Sequence, residues 1–283
     1  MAVELSATPF FPQTAYQCGP AALATVLGAA GVDGSPDTLA QQVYIPGRRG
    51  SLQVELVAAT RRADRVPWLI AGDLPTLAGE LAAGHPVLVL QDLGRFGLRQ
   101  WHYAVVIGID PATDTLLLRS GRKARLSMDA SRFLHSWQPG GQWALVVLAP
   151  GALPATATPD LVKATLAEAE GLLPPESLAA TWAAAVARWP GDPGLGFAAA
   201  NAALATGDEA AAEAGYRRVL AHEPDYLPAL NNLADLLLAR DCSAEGQQLA
   251  ARAAVAAGQP GVPEPWRQAI ADTVSQATAC STP

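Results

Sequence analysis

Strand-type patterning stops near residue 150, and alanine-rich helical patterning takes over. A chain that changes period in this way is not one sheet-based domain. A strand buries alternate residues, whereas a helix buries every third or fourth. The junction reads "APGALPATATPD" (149–160), a Pro-, Ala- and Thr-rich stretch with the composition of a linker. The expected organisation is a mixed domain over 1–149, a linker over 150–160 and an all-helical domain over 161–283. A chain of 283 residues, half of them apolar, has material for two cores.

In the first part helical patterns come before strand patterns. Pro20 and Gly31 bracket one helix; "SPDTLAQQV" opens another on Ser35 as N-cap. "GSLQVELVAATRRAD" sets Leu52, Val54, Leu56 and Val57 on a helical stripe, and "DLPTLAGELAAG" predicts a further capped helix closed by Gly84. Strand-length apolar runs follow at 86–93, 102–110 and 115–121, the last two joined as a hairpin. "KARLSM" predicts a further strand, "DASRFLHSW" a short helix and "QWALVVLA" a last strand. Helices first and antiparallel strands second define an α+β domain.

The second part repeats. Pro190 and Pro224 lie 34 residues apart, with two helical patterns between them split at Thr206-Gly207-Asp208. Ala212, Tyr216 and Val219 fall on one face of the second helix; Trp182 and Ala185 occupy the matching places one period earlier. Leu230, Leu233, Ala234 and Leu237 form the first-helix face of the next unit. A period of about 34 residues closed by proline is tetratricopeptide-type spacing, in which no unit hides its apolar face alone. The usual first-helix Trp and Gly are replaced by Gly196 and Ala200 in one unit and by Leu230 and Ala234 in the next, and Gly246 and Ala250 stand in the following second helix.

Charge excludes some classes of function. The net charge is -7, and the clusters Arg48-Arg49, Arg61-Arg62 and Arg122-Lys123 are too short for a nucleic-acid footprint. No apolar run reaches the roughly 20 residues of a membrane-spanning helix. The start, "MAVELSATPFF", lacks the basic and apolar regions of a secretion signal. Three cysteines (Cys18, Cys242, Cys280) and four histidines (His85, His102, His135, His222) make no metal-ligand spacing and no disulfide framework, so neither metal nor cofactor is expected. Cys242 reads as an inter-helix turn residue and Cys280 as part of a frayed tail. The cysteine count leaves the compartment open.

Chemistry concentrates in "PQTAYQCGPAALATVLGAAG" (12–31). Cys18 stands at the mouth of a helix, where unpaired backbone N–H groups and the positive end of the dipole favour a thiolate. Gln13, five residues upstream, can donate its amide to an oxyanion beside that sulfur, with Gln17 as a competitor for the role. His102 opens an apolar strand and can take the thiol proton and return it to a leaving group.

The pair "Q-x4-CGPAAL" and "HYAVVIGID" resembles the bacteriocin-processing, or double-glycine, cysteine peptidases across roughly residues 8–148. The resemblance implies a papain-like fold with Cys18 as nucleophile, His102 as general base and acid, and Gln13 as oxyanion-hole donor. Gln13 lies one residue closer to the cysteine than in many papain-like enzymes. The family's imidazole-orienting Asp is absent; Ser120 of "LLLRSG" occupies its place, and Asp110 and Asp129 are off-pattern substitutes. Many members are fused to exporters and cut leader peptides after two glycines. This chain resembles instead a stand-alone peptidase followed by tetratricopeptide repeats. The expected activity is peptide-bond hydrolysis on a leader peptide or small protein, with the repeats docking substrate or a partner protein. An adaptor that keeps the fold without catalysis, and a thiol acyltransferase on the same fold, are the alternatives.

Overall fold

A computed structural model of the chain describes residues 2–13, 17–94 and 98–280. These divide into two compact units, Met1–Ser177 and Leu178–Pro283. The division falls later than the change of composition near 150, because the chain after the strands still packs on the first unit. Helix α6 (Pro159–Ala167) lies against strand β2 (Val66–Leu69) there.

The first unit begins with β1 (Val3–Glu4), followed by α1 (Cys18–Ala29), α2 (Pro36–Val43) and α3 (Gln53–Arg62). After β2 come α4 (Leu74–Ala82), β3 (Val87–Asp92), β4 (Trp101–Asp110), β5 (Thr115–Ser120), β6 (Lys123–Asp129), α5 (Ala130–Trp137) and β7 (Ala144–Leu148). The strands form a seven-stranded antiparallel sheet in the order β2-β7-β3-β4-β5-β6, with β1 paired to the far end of β4. The architecture is α+β, as the order of patterns predicts.

Local chemistry sets the helix ends. Ser35 accepts a hydrogen bond from the Thr38 N–H, and Asp73 from the Thr76 N–H, each satisfying an otherwise unpaired donor. Helix α1 has no polar face: Gly19 through Leu27 are all buried, as suits a helix in the middle of a domain. It packs on the face of β4 that carries Tyr103, Val105 and Ile107. Ala104 and Val106 on the other face are buried as well, so β4 reads as an unbroken apolar run.

Three readings of the sequence need correction. Val54 is 67% exposed; the buried face of α3 is Leu56, Ala59 and Thr60 instead. β2 went unforeseen because it is four residues long and contains Pro67, which a strand tolerates at the sheet edge where its missing N–H goes unused. The third concerns the cysteines. Cys242 and Cys280 form a disulfide, and Cys280 ends a helix rather than a frayed tail.

The second unit continues from α7 (Pro175–Arg188) through α8 (Pro193–Ala205), α9 (Glu209–His222), α10 (Leu227–Asp241), α11 (Ala244–Ala257) and α12 (Glu264–Cys280). α8 and α10 begin 34 positions apart, at Pro193 and Leu227. Tyr216, Val219, Leu230, Leu233, Ala234, Leu237 and Ala250 form one core cluster, and Trp182 and Ala185 are buried too. Gly215 lies against Ala200 closely enough that an added Cβ would sit 2.8 Å from the Ala200 Cβ, so the helices touch backbone to backbone. The disulfide follows from this arrangement. Successive helices reverse direction, so α10 and α12 run the same way and their C-terminal ends meet, with Cα atoms 5.5 Å apart.

Candidate active site

Cys18 is the first residue of α1, one position inside the N-cap residue Gln17. Its neighbour explains the "CG" pair. A Cβ on Gly19 would lie 2.6 Å from the Ser51 Cβ and closer still to the Ser51 Oγ. Only glycine lets the Ser51 loop close on the mouth of the helix. The Tyr103 hydroxyl donates to the Ser51 carbonyl at 3.2 Å and fixes that loop from the strand side. Ser51 Oγ itself is buried without a partner.

Burial decides the state of the sulfur. It pushes the Cys18 thiol up from its ordinary 9.0, against backbone hydrogen bonds from Tyr103, Gly19 and Cys18 that pull it down. The helix terminus alone would favour a thiolate, as the sequence suggests; desolvation wins. The Tyr103 phenol is pushed up as well, by burial first and then by the nearby Cys18 charge, so it stays protonated.

His102 is the second residue of β4, opposite Gln91 of β3. Its Nε2 hydrogen-bonds the Ser120 Oγ at 2.9 Å. Ser120, the last residue of β5, is buried. It carries no charge to hold an imidazolium, and burial brings the His102 pKa down to about 4. The ring is neutral at physiological pH. With Nε2 engaged by Ser120, Nδ1 is the nitrogen left for proton exchange.

Gln13 is held by its backbone: its N–H donates to the Gly121 carbonyl at 3.0 Å. Its side-chain amide donates to the Tyr103 carbonyl at 3.4 Å. The neighbouring hairpin ties down the same segment, because Arg119 donates to the Ser6 and Thr8 carbonyls and Arg125 pairs with Glu4 at 2.8 Å.

Gln13, Cys18 and His102 therefore line one cleft of about 690 Å³, and Ser120 backs the imidazole. That volume suits a peptide segment or a small ligand. Asp110 and Asp129 do not reach it. Both pair with Thr115 at the opposite end of the hairpin, eight residues or ~26 Å along β4 from His102. Tyr103, Ser51, Arg48, Arg49, Arg99 and Trp101 complete the wall together with Gly50, Leu52 and Gln100. Trp101 is 47% exposed, so it forms rim and not core. Of this group the sequence singles out Arg48 and Arg49, and those only as a short basic cluster.

The remaining histidines have structural places. His85 Nδ1 meets the buried Glu80 carboxylate at 2.7 Å, while His135 and His222 lie exposed on helices. Among the described residues no group of His, Cys, Asp and Glu is placed to hold a metal ion. No helix among them is long and apolar enough to cross a membrane.

Residues 6–144 match the model of a family described as "Peptidase_C39 like family". Among solved structures the chain is similar to a candidate C39-like peptidase from Bacillus anthracis, with 18% identity and a TM-score of 0.43 over 52% of this chain and 98% of that one. It is also similar to the peptidase domain of Streptococcus ComA, a bi-functional ABC transporter involved in a quorum-sensing pathway, with 23% identity and a TM-score of 0.42 over 50% of this chain and 98% of that one. Among curated proteins nothing matches.

Proposed function

We propose, from the match of residues 6–144 to the Peptidase_C39-like family, that the N-terminal unit hydrolyses peptide bonds with Cys18 as nucleophile and His102 as base and acid. The observation that carries the proposal is the convergence of Cys18, His102 and Gln13 on one cleft, with Ser120 bonded to the far nitrogen of the imidazole.

The reaction starts from a neutral pair. As Sγ attacks the scissile carbonyl carbon, its proton moves to His102 Nδ1. The carbonyl oxygen becomes an oxyanion, and the Gln13 amide and the Cys18 N–H are the donors for it. The oxyanion collapses, the C–N bond breaks, and His102 returns the proton to the leaving amine. A water, losing its proton to His102, then opens the thioester, and the acid leaves as Sγ recovers its proton. Backbone amides around Sγ stabilise the thiolate as it forms, and Ser120 fixes the ring orientation.

The substrate class is a leader peptide or small protein, and the second unit is its docking module. The 34-residue spacing supports a tetratricopeptide-type reading of that unit, as does a cavity of about 330 Å³ lined by residues such as Val186, Pro190, Ala200, Arg218 and Val219. The uncharged Ser120 behind a neutral imidazole favours one second reading, an adaptor that keeps the fold.

A digest of a proteome-derived peptide library, read by mass spectrometry, separates them. Hydrolysis predicts new termini made by the wild type, abolished in Cys18→Ala and reduced at least about 100-fold in His102→Ala. No new termini would sink the hydrolytic reading and favour the adaptor. Amide products that appear only with an added amine would identify acyl transfer instead.

A further inference from the structure

The wall of the cleft is chemically one-sided. Arg48, Arg49 and Arg99 line it, and among the described residues no aspartate or glutamate does, although the whole chain carries a net charge of -7. Random placement on an acidic chain does not favour three cations and no anion around one thiol.

Two of the arginines come from a braced turn. The Ile45 N–H donates to the Gly50 carbonyl at 2.8 Å, and inside that closure the Arg48 N–H donates to Ile45 and the Arg49 N–H to Pro46. Arg49 sits at φ 49°, in the left-handed region where a residue with a Cβ is strained and glycine is not. The turn therefore keeps an arginine where backbone energetics prefer glycine, in a "PGRRG" stretch already rich in it. Arg99 comes from a different segment, just before β4. It lies over the Trp101 ring at 5.4 Å and bonds Asp92 at 3.3 Å, so its direction is fixed while part of its charge is offset.

We infer that the cleft selects a carboxylate-bearing peptide, and that Arg48, with Arg49 and Arg99, holds that carboxylate within reach of the bond attacked by Cys18. The carboxylate comes from an acidic side chain or from the free C-terminus of a short peptide; the chemistry of recognition is shared. Guanidinium groups suit it because they present paired N–H donors to the two oxygens. This rests on Cys18 being the reacting thiol, and the test is built so that it stands apart from hydrolysis.

First, alkylation of Cys18 by iodoacetate is compared with alkylation by neutral iodoacetamide, in the full chain, at low and high salt. At low salt the acetate-to-amide rate ratio should exceed that of free glutathione by about tenfold, taking roughly two- to threefold per arginine. It should fall several-fold in Arg48→Gln/Arg99→Gln and with added salt, and Arg48→Lys should restore most of it at position 48. A ratio equal to that of glutathione, or one untouched by salt and substitution, overturns the inference. Second, quenched peptides carrying Glu, Gln or Lys beside the cleaved bond are compared, each as C-terminal acid and amide. A Glu preference assigns the side-chain source, and an acid-over-amide preference assigns the terminus. Equal cleavage of all forms overturns carboxylate selection. If no peptide is cut while the alkylation ratio holds, hydrolysis fails and the anion site stands.

Discussion

The Cys242–Cys280 bond closes a loop of 38 residues that contains all of α11 and α12. In the chain-entropy account a cross-link of that span removes about 13 cal/mol/K from the unfolded ensemble, or about 4 kcal/mol at 25 °C. The α12 helix also packs through Ile270, Thr273 and Ala277, so the unit should survive without the bond, but at a lower temperature. At roughly 4 °C per kcal/mol or more for a unit of this size, the loss is about 15 °C. Cys242→Ser/Cys280→Ser is the perturbation, followed by calorimetry, with two transitions fitted because there are two units. The lower Tm should belong to the second unit, and the Cys18 alkylation rate should not change. Thiol counting gives an independent check. Cys18 is the free cysteine, so denatured, unreduced protein should take up one iodoacetamide, and three after reduction. Three before reduction, or a Tm change under about 3 °C in the double variant, would refute the reasoning.

Other perturbations probe the cleft and its frame. With the thiol pushed above 9.0 by burial and His102 neutral above about 4, iodoacetamide labelling of Cys18 should climb steadily from pH 6 to 9; a plateau below pH 7 would mean a standing ion pair. Ser120→Asp should raise the His102 pKa, read from ring-proton NMR shifts, by about one unit or more, and an unmoved titration would mean that Ser120 does not govern the ring. Gly19→Ala drives a Cβ onto Ser51 and should cost about 2 kcal/mol or more in the first unit's unfolding; Ser51→Gly in the same chain should recover most of that, and failure to do so would remove Ser51 as the cause. Burial pushes the Glu80 carboxyl up, but hydrogen bonds from His85, Thr156 and Ala155 outweigh it and hold the group below 4.5. Its stabilisation is therefore complete above pH 4.5 and is lost as the pH falls through the lower, folded value. Glu80→Gln should flatten that part of the acid-denaturation curve, and an unchanged curve would rule Glu80 out.

What the sequence made legible was whatever a period or a cap encodes. Ser35 and Asp73 cap helices, β4 and β5 form the hairpin, and Tyr216 and Val219 are buried on the 34-residue period. Cys18 and His102 were legible because each lies at the end of a strongly patterned element. Other features depend on contacts between residues far apart in the chain, and no local pattern encodes those. The Cys242–Cys280 pair needs α10 and α12 to run the same way; Glu80 holds Thr156 from 76 positions away. In sequence Arg48 and Arg49 are only a short basic cluster; that their turn borders the thiol is a fact of tertiary structure. The thiol's state is hidden for the same reason, since a helix N-terminus is visible in sequence and the depth of burial beneath it is not.

Depth of burial also frames how such a site would work. A thiol held above 9.0 beside an imidazole near 4 disfavours transfer of the proton in the resting cleft. A carboxylate behind the ring would narrow that gap by stabilising the imidazolium; Ser120 only orients it. The stabilisation must then come from the charge that develops in the reaction. In the proposed reaction the new thiolate and the imidazolium form within one cleft, and backbone hydrogen bonds from Tyr103, Gly19 and Cys18 already favour the charged sulfur. Such interactions strengthen when a bound peptide excludes water from the cleft, and the arginine rim adds a favourable field for an anionic peptide doing so. A site of this kind stays unreactive toward passing electrophiles and gains its ion pair only with a fitting substrate. If the proposed peptide chemistry holds, selectivity and activation are a single event, set by how well the peptide closes the cleft over Cys18.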